Sequence, residues 1–391
     1  MNKKIGLLPK LIIAIIIGII IGAYAPEWIV RIFATFNDIF GNFLGFAIPL
    51  IIIGFVAPGI GDLGDGAGKL LAITAGIAYA STVVAGSLAY FTSNLVLPMF
   101  LKVGSLGIDA ANPEDALLSS FFTIDMPPIF GVMTALLIAF TLGLGIAAIK
   151  GDTLKKLMNE FQQIVEKLIS TIIIPLLPIH ILGIFANMTY AGQVVTILSV
   201  FSRVFLMIIV IHLFTLVVQF IIGGTLTGSN PFTALKNMVP AYITAIGTQS
   251  SAASIPVTLA QTKKNGVQDD IADFVVPLCA TIHLSGSTIT LVACSMAIMM
   301  LNGMPISFLN MLPFILMLGV TMVAAPGVPG GAIIAALGLL ETMLGFSQPM
   351  LSLMIALYIA QDSFGTATNI TGDGAIALMV NKISGNKLVK Q

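Results

Sequence analysis

Apolar runs long enough to cross a bilayer recur along the whole of this sequence, and two further apolar segments are cut in half by clusters of small polar residues, glycine and proline. A helix needs about 20 apolar residues to pass the hydrocarbon core. Uninterrupted runs lie near 8–25, 33–58, 68–98, 128–149, 163–187, 193–223, 269–301 and 348–382. Of the 391 residues 57% are hydrophobic and only 9% are charged, against about 25% charged in a soluble domain. A surface this poor in charge cannot meet water over its whole area. In lipid each backbone N–H and C=O must find its partner within the protein, which leaves helices and closed barrels as the spanning structures. Runs of this length predict helices, and so an all-α membrane protein with eight transmembrane helices.

Charge placement predicts the topology. Lys plus Arg and Asp plus Glu both number 17, so there is no basic face for nucleic acid. Lys3, Lys4 and Lys10 precede or open the first span. Lys150, Lys155, Lys156 and Lys167 lie between the fourth and fifth spans or at the start of the fifth. Lys236, Lys263 and Lys264 flank the first interrupted segment, and Lys382, Lys387 and Lys390 end the chain. With spans alternating in direction, all of these fall on one side. The acidic connection with Asp109, Glu114 and Asp115 falls on the other. The positive-inside rule then puts both termini in the cytoplasm of a cell inner membrane protein. The opening lysines and apolar run to Ala25 resemble a secretory leader, but the many spans that follow make the run a first transmembrane helix. Cys279, Cys294, His180, His212 and His283 show no zinc-ligand spacing.

The first interrupted segment, about 234–264, breaks at Gly247-Thr248-Gln249-Ser250-Ser251-Ala252-Ala253-Ser254. The second, about 310–345, breaks at Ala325-Pro326-Gly327-Val328-Pro329-Gly330-Gly331. In the first, each arm is at most about 12 residues, roughly 18 Å of helix, too short to cross. Both segments read as re-entrant helical hairpins. Each is followed by one long span rich in polar residues, and the second enters from the opposite side. Such an inverted repeat with paired broken segments points to the binding site of a secondary transporter.

In the last span Asp362, Thr366, Asn369 and Asp373 are spaced 4, 3 and 4, which puts them on one helical face. A carboxylate at bilayer depth costs at least about 2.5–3.5 kcal/mol, so two on one stripe call for cations, water or a charged ligand. An aqueous helix end is the alternative for Asp373. The span before it carries Thr281-Ile282-His283-Leu284-Ser285-Gly286-Ser287-Thr288. That cluster predicts local unwinding, which frees carbonyls for a cation such as Na⁺; back-bonding of the hydroxyls to their own helix is the alternative. Ser250 and Ser251 stand at a helix start suited to a carboxylate. An aspartyl enzyme is not expected, because Asp362 and Asp373 are about 16 Å apart along one helix.

These motifs together resemble those of the dicarboxylate/amino acid:cation symporters, the glutamate transporter family. The tip Ser250 to Thr258, the tip Gly327-Val328-Pro329-Gly330, and Asn369-Ile370-Thr371-Gly372-Asp373 carry the resemblance. It is strong over about 235–385 and weaker but collinear before that. It implies eight transmembrane helices, two re-entrant hairpins, a homotrimer in membrane lipid and an elevator-like motion. Residues 1–230 would hold the first six helices with the trimer scaffold, and 231–385 the core of the transport domain. By the same resemblance Asp362 meets a substrate amino group and Asn369 its carboxylate. Ser250, Ser251, Ser287, Gly365 and Thr366 belong to the substrate site, and Val328 to a closing tip. Asp373, Asn369 and the carbonyls of Cys279 and His283 are implied as Na⁺ ligands.

Two departures narrow the cargo. Members that carry acidic substrates have an arginine where this chain has Gly365, and no other Lys or Arg stands in the last two spans before Lys382. An unpaired buried carboxylate is costly, so a small neutral amino acid resembling serine, threonine or alanine is expected. The family motif Asn-Met-Asp-Gly-Thr reads His283-Leu284-Ser285-Gly286-Ser287 here. One cation site loses its carboxylate, and a proton on His283 becomes an alternative to that ion. The rival cargo is a dicarboxylate or acidic amino acid.

Overall fold

The computed structural model describes residues 7–63, 68–104, 117–149, 152–323, 325 and 330–388. Val328, Lys3, Lys4, Asp109, Glu114, Asp115, Lys150 and Lys390 lie outside the described residues. Among those described, every regular element is helical. The first helices are α1 (Leu7–Tyr24), α2 (Glu27–Leu63), α3 (Gly68–Val96) and α4 (Val132–Ala148). They are followed by α5 (Asp152–Leu168), α6 (Ile174–Tyr190), α7 (Val194–Thr227) and α8 (Pro231–Asn237). Two shorter helices, α9 (Val239–Thr248) and α10 (Ser251–Lys264), precede α11 (Asp269–Ile282) and α12 (Ser285–Leu301). The last are α13 (Phe308–Met322), α14 (Gly331–Leu344) and α15 (Gln348–Leu388).

Among the described residues, five helical stretches are long and apolar enough to cross a membrane: Glu27–Pro58, Lys69–Met99, Asp152–Tyr190, Ile197–Thr227 and Asp269–Leu301. Of the other expected spans, the first and fourth are shorter apolar helices, and α15 is long but diluted by its polar stripe. The fifth span starts earlier than the apolar run near 163. An amphipathic α5 precedes it and joins α6 through a π-helical turn, Ile169–Ile173. Pro175 and Pro178 explain the turn: a helix carrying proline loses N–H donors and relaxes through a bulge.

Packing sorts the helices into two groups. α1 packs on α6, and α2 on α4, α5 and α6. α3 and α7 pack instead on the last third, α3 against α12 and α13, α7 against α15. Every residue of α12 is buried, so it shows no amphipathic pattern, as expected of a helix covered on all sides.

The interrupted segments are helix pairs packed side by side, α9 with α10 and α13 with α14. The first pair turns at Gln249, whose φ of 52° is left-handed, a conformation that costs a non-glycine residue some strain. Its base is fastened by Asn237, which donates to the Asn265 side-chain oxygen at 2.8 Å, and by Lys263, 2.8 Å from Asp273. The second pair re-enters helix at Gly330, where φ is 75° and a glycine takes the left-handed turn without that strain.

Candidate substrate and cation site

Three helix breaks converge beside α15. The α9–α10 break contributes Gln249 and Ser251, the α11–α12 break Leu284 and Ser287, and the α13–α14 break Ala325 and Ala332. α15 supplies Tyr358, Asp362, Thr366 and Asn369, and Ala280 completes the lining. The cavity is small, about 30 Å³. That is room for a water, so an amino acid enters only if the lining parts. Larger hollows of about 360 and 520 Å³ open elsewhere, lined in part by α2, and neither touches Asp362.

The lining is polar at chosen points. α10, α12 and α14 all begin at the cavity, and a helix start presents unpaired N–H groups and partial positive charge. Asp362 is 6% exposed; one of its oxygens accepts the Gly330 N–H at 2.7 Å, tying α15 to the start of α14. The Asn369 carboxamide oxygen accepts the N–H of Gly286 at 2.7 Å and of Ser287 at 3.3 Å, and its NH₂ donates to the Ser287 hydroxyl at 3.0 Å. Asn369 thus satisfies donors that the start of α12 would otherwise leave unmade. Ser250 accepts the Ala253 N–H at 3.3 Å; it caps α10 and does not line the cavity, whereas Ser251 does.

Unwinding at the α11–α12 break falls where the sequence predicted it, at His283 and Leu284, which leave helical geometry. The His283 N–H donates to the Cys279 carbonyl at 2.9 Å. The His283 ring is fully buried, with Nδ1 2.9 Å from Asp373 Oδ1 and Nε2 3.0 Å from the Ser81 hydroxyl. The Gln219 side chain donates to the same hydroxyl at 2.9 Å and to the Ser285 hydroxyl at 3.3 Å. One assignment of hydrogens satisfies the chain: Gln219 donates to Ser81, Ser81 to Nε2, and Nδ1 to Asp373.

Asp373 does not face the cavity with Asp362; it lies deeper, with His283. Its second oxygen, the Thr371 hydroxyl and the Gln219 carbonyl oxygen are buried without partners. An ideal Cβ on Gly372 would come 2.7 Å from that Gln219 oxygen, which sets the amide beside α15, while Thr371 and Asp373, two residues apart, leave the helix on different faces. Orphan oxygens are costly to bury and are the donors a hard cation takes. Gly365 shares the face of α15 that carries Tyr358, Asp362 and Asn369; it is not among the residues that line the cavity, and its ideal Cβ stands 3.6 Å from the Gly286 and Ser287 backbone.

Tyr358, Gln249, Gln219 and Ser81 were not picked out from the sequence. Tyr358 had a signal, since it extends the stripe of Asp362, Thr366 and Asn369 by one turn toward the N-terminus. Gln219 had a weaker one, as a lone amide in an apolar run. Ser81 had none.

A model of sodium:dicarboxylate symporters matches residues 7–383. The chain belongs to that family. It is therefore a transporter rather than an enzyme, and an integral membrane protein whose family moves small molecules with a cation. Among curated relatives, the serine/threonine transporters SstT of Acinetobacter baumannii strains AYE and AB0057 are each 26% identical over 394 residues, covering 95% of this chain and 95% of theirs. Like this member of the symporter family, they align along nearly the full length, so the likeness takes in the first six helices as well as the polar last third.

Proposed function

We propose that this symporter couples Na⁺ entry to uptake of a small neutral amino acid, serine, threonine or alanine in kind. One observation carries the proposal: among the described residues that line the cavity there is a single carboxylate, Asp362, and no Lys or Arg. An ammonium matches Asp362. An α-carboxylate matches the helix starts of α10 and α14, the N–H of Asn369 not used by Ser287, and the Thr366 hydroxyl. A second carboxylate, as in glutamate or succinate, would be buried with no cation beside it, at a cost of several kcal/mol. The serine/threonine transporters among its relatives support a neutral hydroxyl amino acid as cargo.

Na⁺ takes the deeper level, where Asp373 offers an oxygen without a partner; the carbonyls of Cys279, His283 and Asn369 are further candidate ligands. The α9–α10 and α13–α14 pairs act as re-entrant hairpins. The core of 231–385, carrying α3 and α7 packed on it, moves as an elevator against the scaffold of a homotrimer. Both termini lie in the cytoplasm. The test is a thermal-shift screen of the purified protein against the twenty amino acids and succinate, with and without Na⁺. Stabilisation by serine, threonine or alanine only with Na⁺ supports the proposal. A strong response to glutamate or succinate sinks it.

A further inference from the structure

Tyr358 stands four residues before Asp362 on α15, the spacing that brings two side chains onto one helical face. It lines the same cavity as Asp362, Ser287, Thr366 and Asn369. Its side chain is 1% exposed, and its hydroxyl has no hydrogen-bond partner. Asp362 and Ser287 lie beside it without bonding geometry. A buried phenol normally finds a partner, and leaving one unmade is unfavourable. Phenylalanine would fill the same space without that penalty. An orphan hydroxyl at the wall of a binding cavity fits a site that waits for a polar atom of its ligand.

We propose that the Tyr358 hydroxyl hydrogen-bonds the side-chain hydroxyl of the cargo, and so favours serine and threonine over alanine. This rests on the neutral amino acid assignment above and narrows it. With the ammonium at Asp362 and the α-carboxylate toward the start of α10, the cargo's side chain is the group left to face Tyr358. The Tyr358 hydroxyl lies beside the Asp362 carboxylate, so a cargo held there by its ammonium brings a hydroxyl on its Cβ within hydrogen-bond reach of the phenol. Alanine leaves the phenol unpartnered in the bound state; serine does not. A site built to bond a hydroxyl discriminates against the analogue that lacks it.

The experiment is competition against labelled serine uptake in proteoliposomes under a Na⁺ gradient. The competitors are serine, threonine, O-methylserine and alanine, on wild type and Tyr358→Phe. Wild type should prefer serine over alanine by about three- to tenfold, the range of one net neutral hydrogen bond. In Tyr358→Phe that ratio should fall toward one. A ratio unchanged by the substitution overturns the proposal. So does an equal loss for serine and alanine, since Tyr358 would then only orient Asp362. Equal competition by serine and alanine on wild type also overturns it, leaves neutral cargo standing, and needs no variant to fold. Wild type that takes up glutamate but no neutral amino acid removes the underlying assignment instead.

Discussion

α12 and α15 cross at two glycines, and the structure predicts opposite outcomes for them. An ideal Cβ on Gly286 would stand 2.5 Å from the Gly365 carbonyl oxygen and 2.7 Å from the Thr368 Cβ. Neither is the free end of a flexible side chain, so Gly286→Ala must push the two helices apart. Overpacking of this kind costs about 1–3 kcal/mol. For a chain this long that is roughly 2 °C of melting temperature per kcal/mol, so a fall of about 2–6 °C. The displacement also strains the 2.7 Å bond from the Gly286 N–H to Asn369, so apparent affinity for the amino acid should drop with stability. On Gly365 the nearest atoms to an ideal Cβ are 3.6 Å away, ordinary contact. Gly365→Ala should melt within about 1 °C of wild type, or slightly higher, because alanine is the better helix former. The assay is tryptophan-independent melting in detergent, paired with serine-dependent stabilisation. Equal effects of the two substitutions, or a Gly286→Ala protein as stable as wild type, would refute the close approach.

Three further outcomes follow from the site. Asp362→Asn removes the one charge that meets the ammonium; losing a buried charge partner costs about 3 kcal/mol, so serine affinity should fall over a hundredfold in equilibrium binding. Asn369→Ala leaves the Gly286 and Ser287 N–H groups unpaired, and at about 1–3 kcal/mol for each such group it should lower melting temperature more than Thr366→Ala does. His283→Gln, assayed with Na⁺ present and omitted at acid and neutral pH, separates the coupling ions. Full Na⁺ dependence without a pH response in either protein excludes a coupled proton, whereas Na⁺-independent uptake at acid pH in wild type alone would establish one.

Spacing along one helix revealed which residues share a face, but not the depth at which their partners meet them. The stripe of Asp362, Thr366, Asn369 and Asp373 was visible because a 3.6-residue period survives in any helix. The structure then splits it: three of the four line one cavity, and Asp373 joins His283 at another level. That split depends on α3 and α7, whose Ser81 and Gln219 complete the lower network at His283 from 202 and 64 residues away in sequence. No periodicity within a span reports a partner at that separation. The same holds for Gly365. Its missing side chain was legible as a missing cation, and its second role, backing onto Gly286, was not. An arginine there would have to leave α15 against the α12 backbone before reaching the cavity. Gly365→Arg alone should therefore fail to confer tight glutamate binding, even though it restores the charge, because the cavity also lacks room for the longer side chain. Glutamate binding measured on Gly365→Arg decides the point: affinity comparable to that for serine on wild type would mean that charge alone sets the cargo.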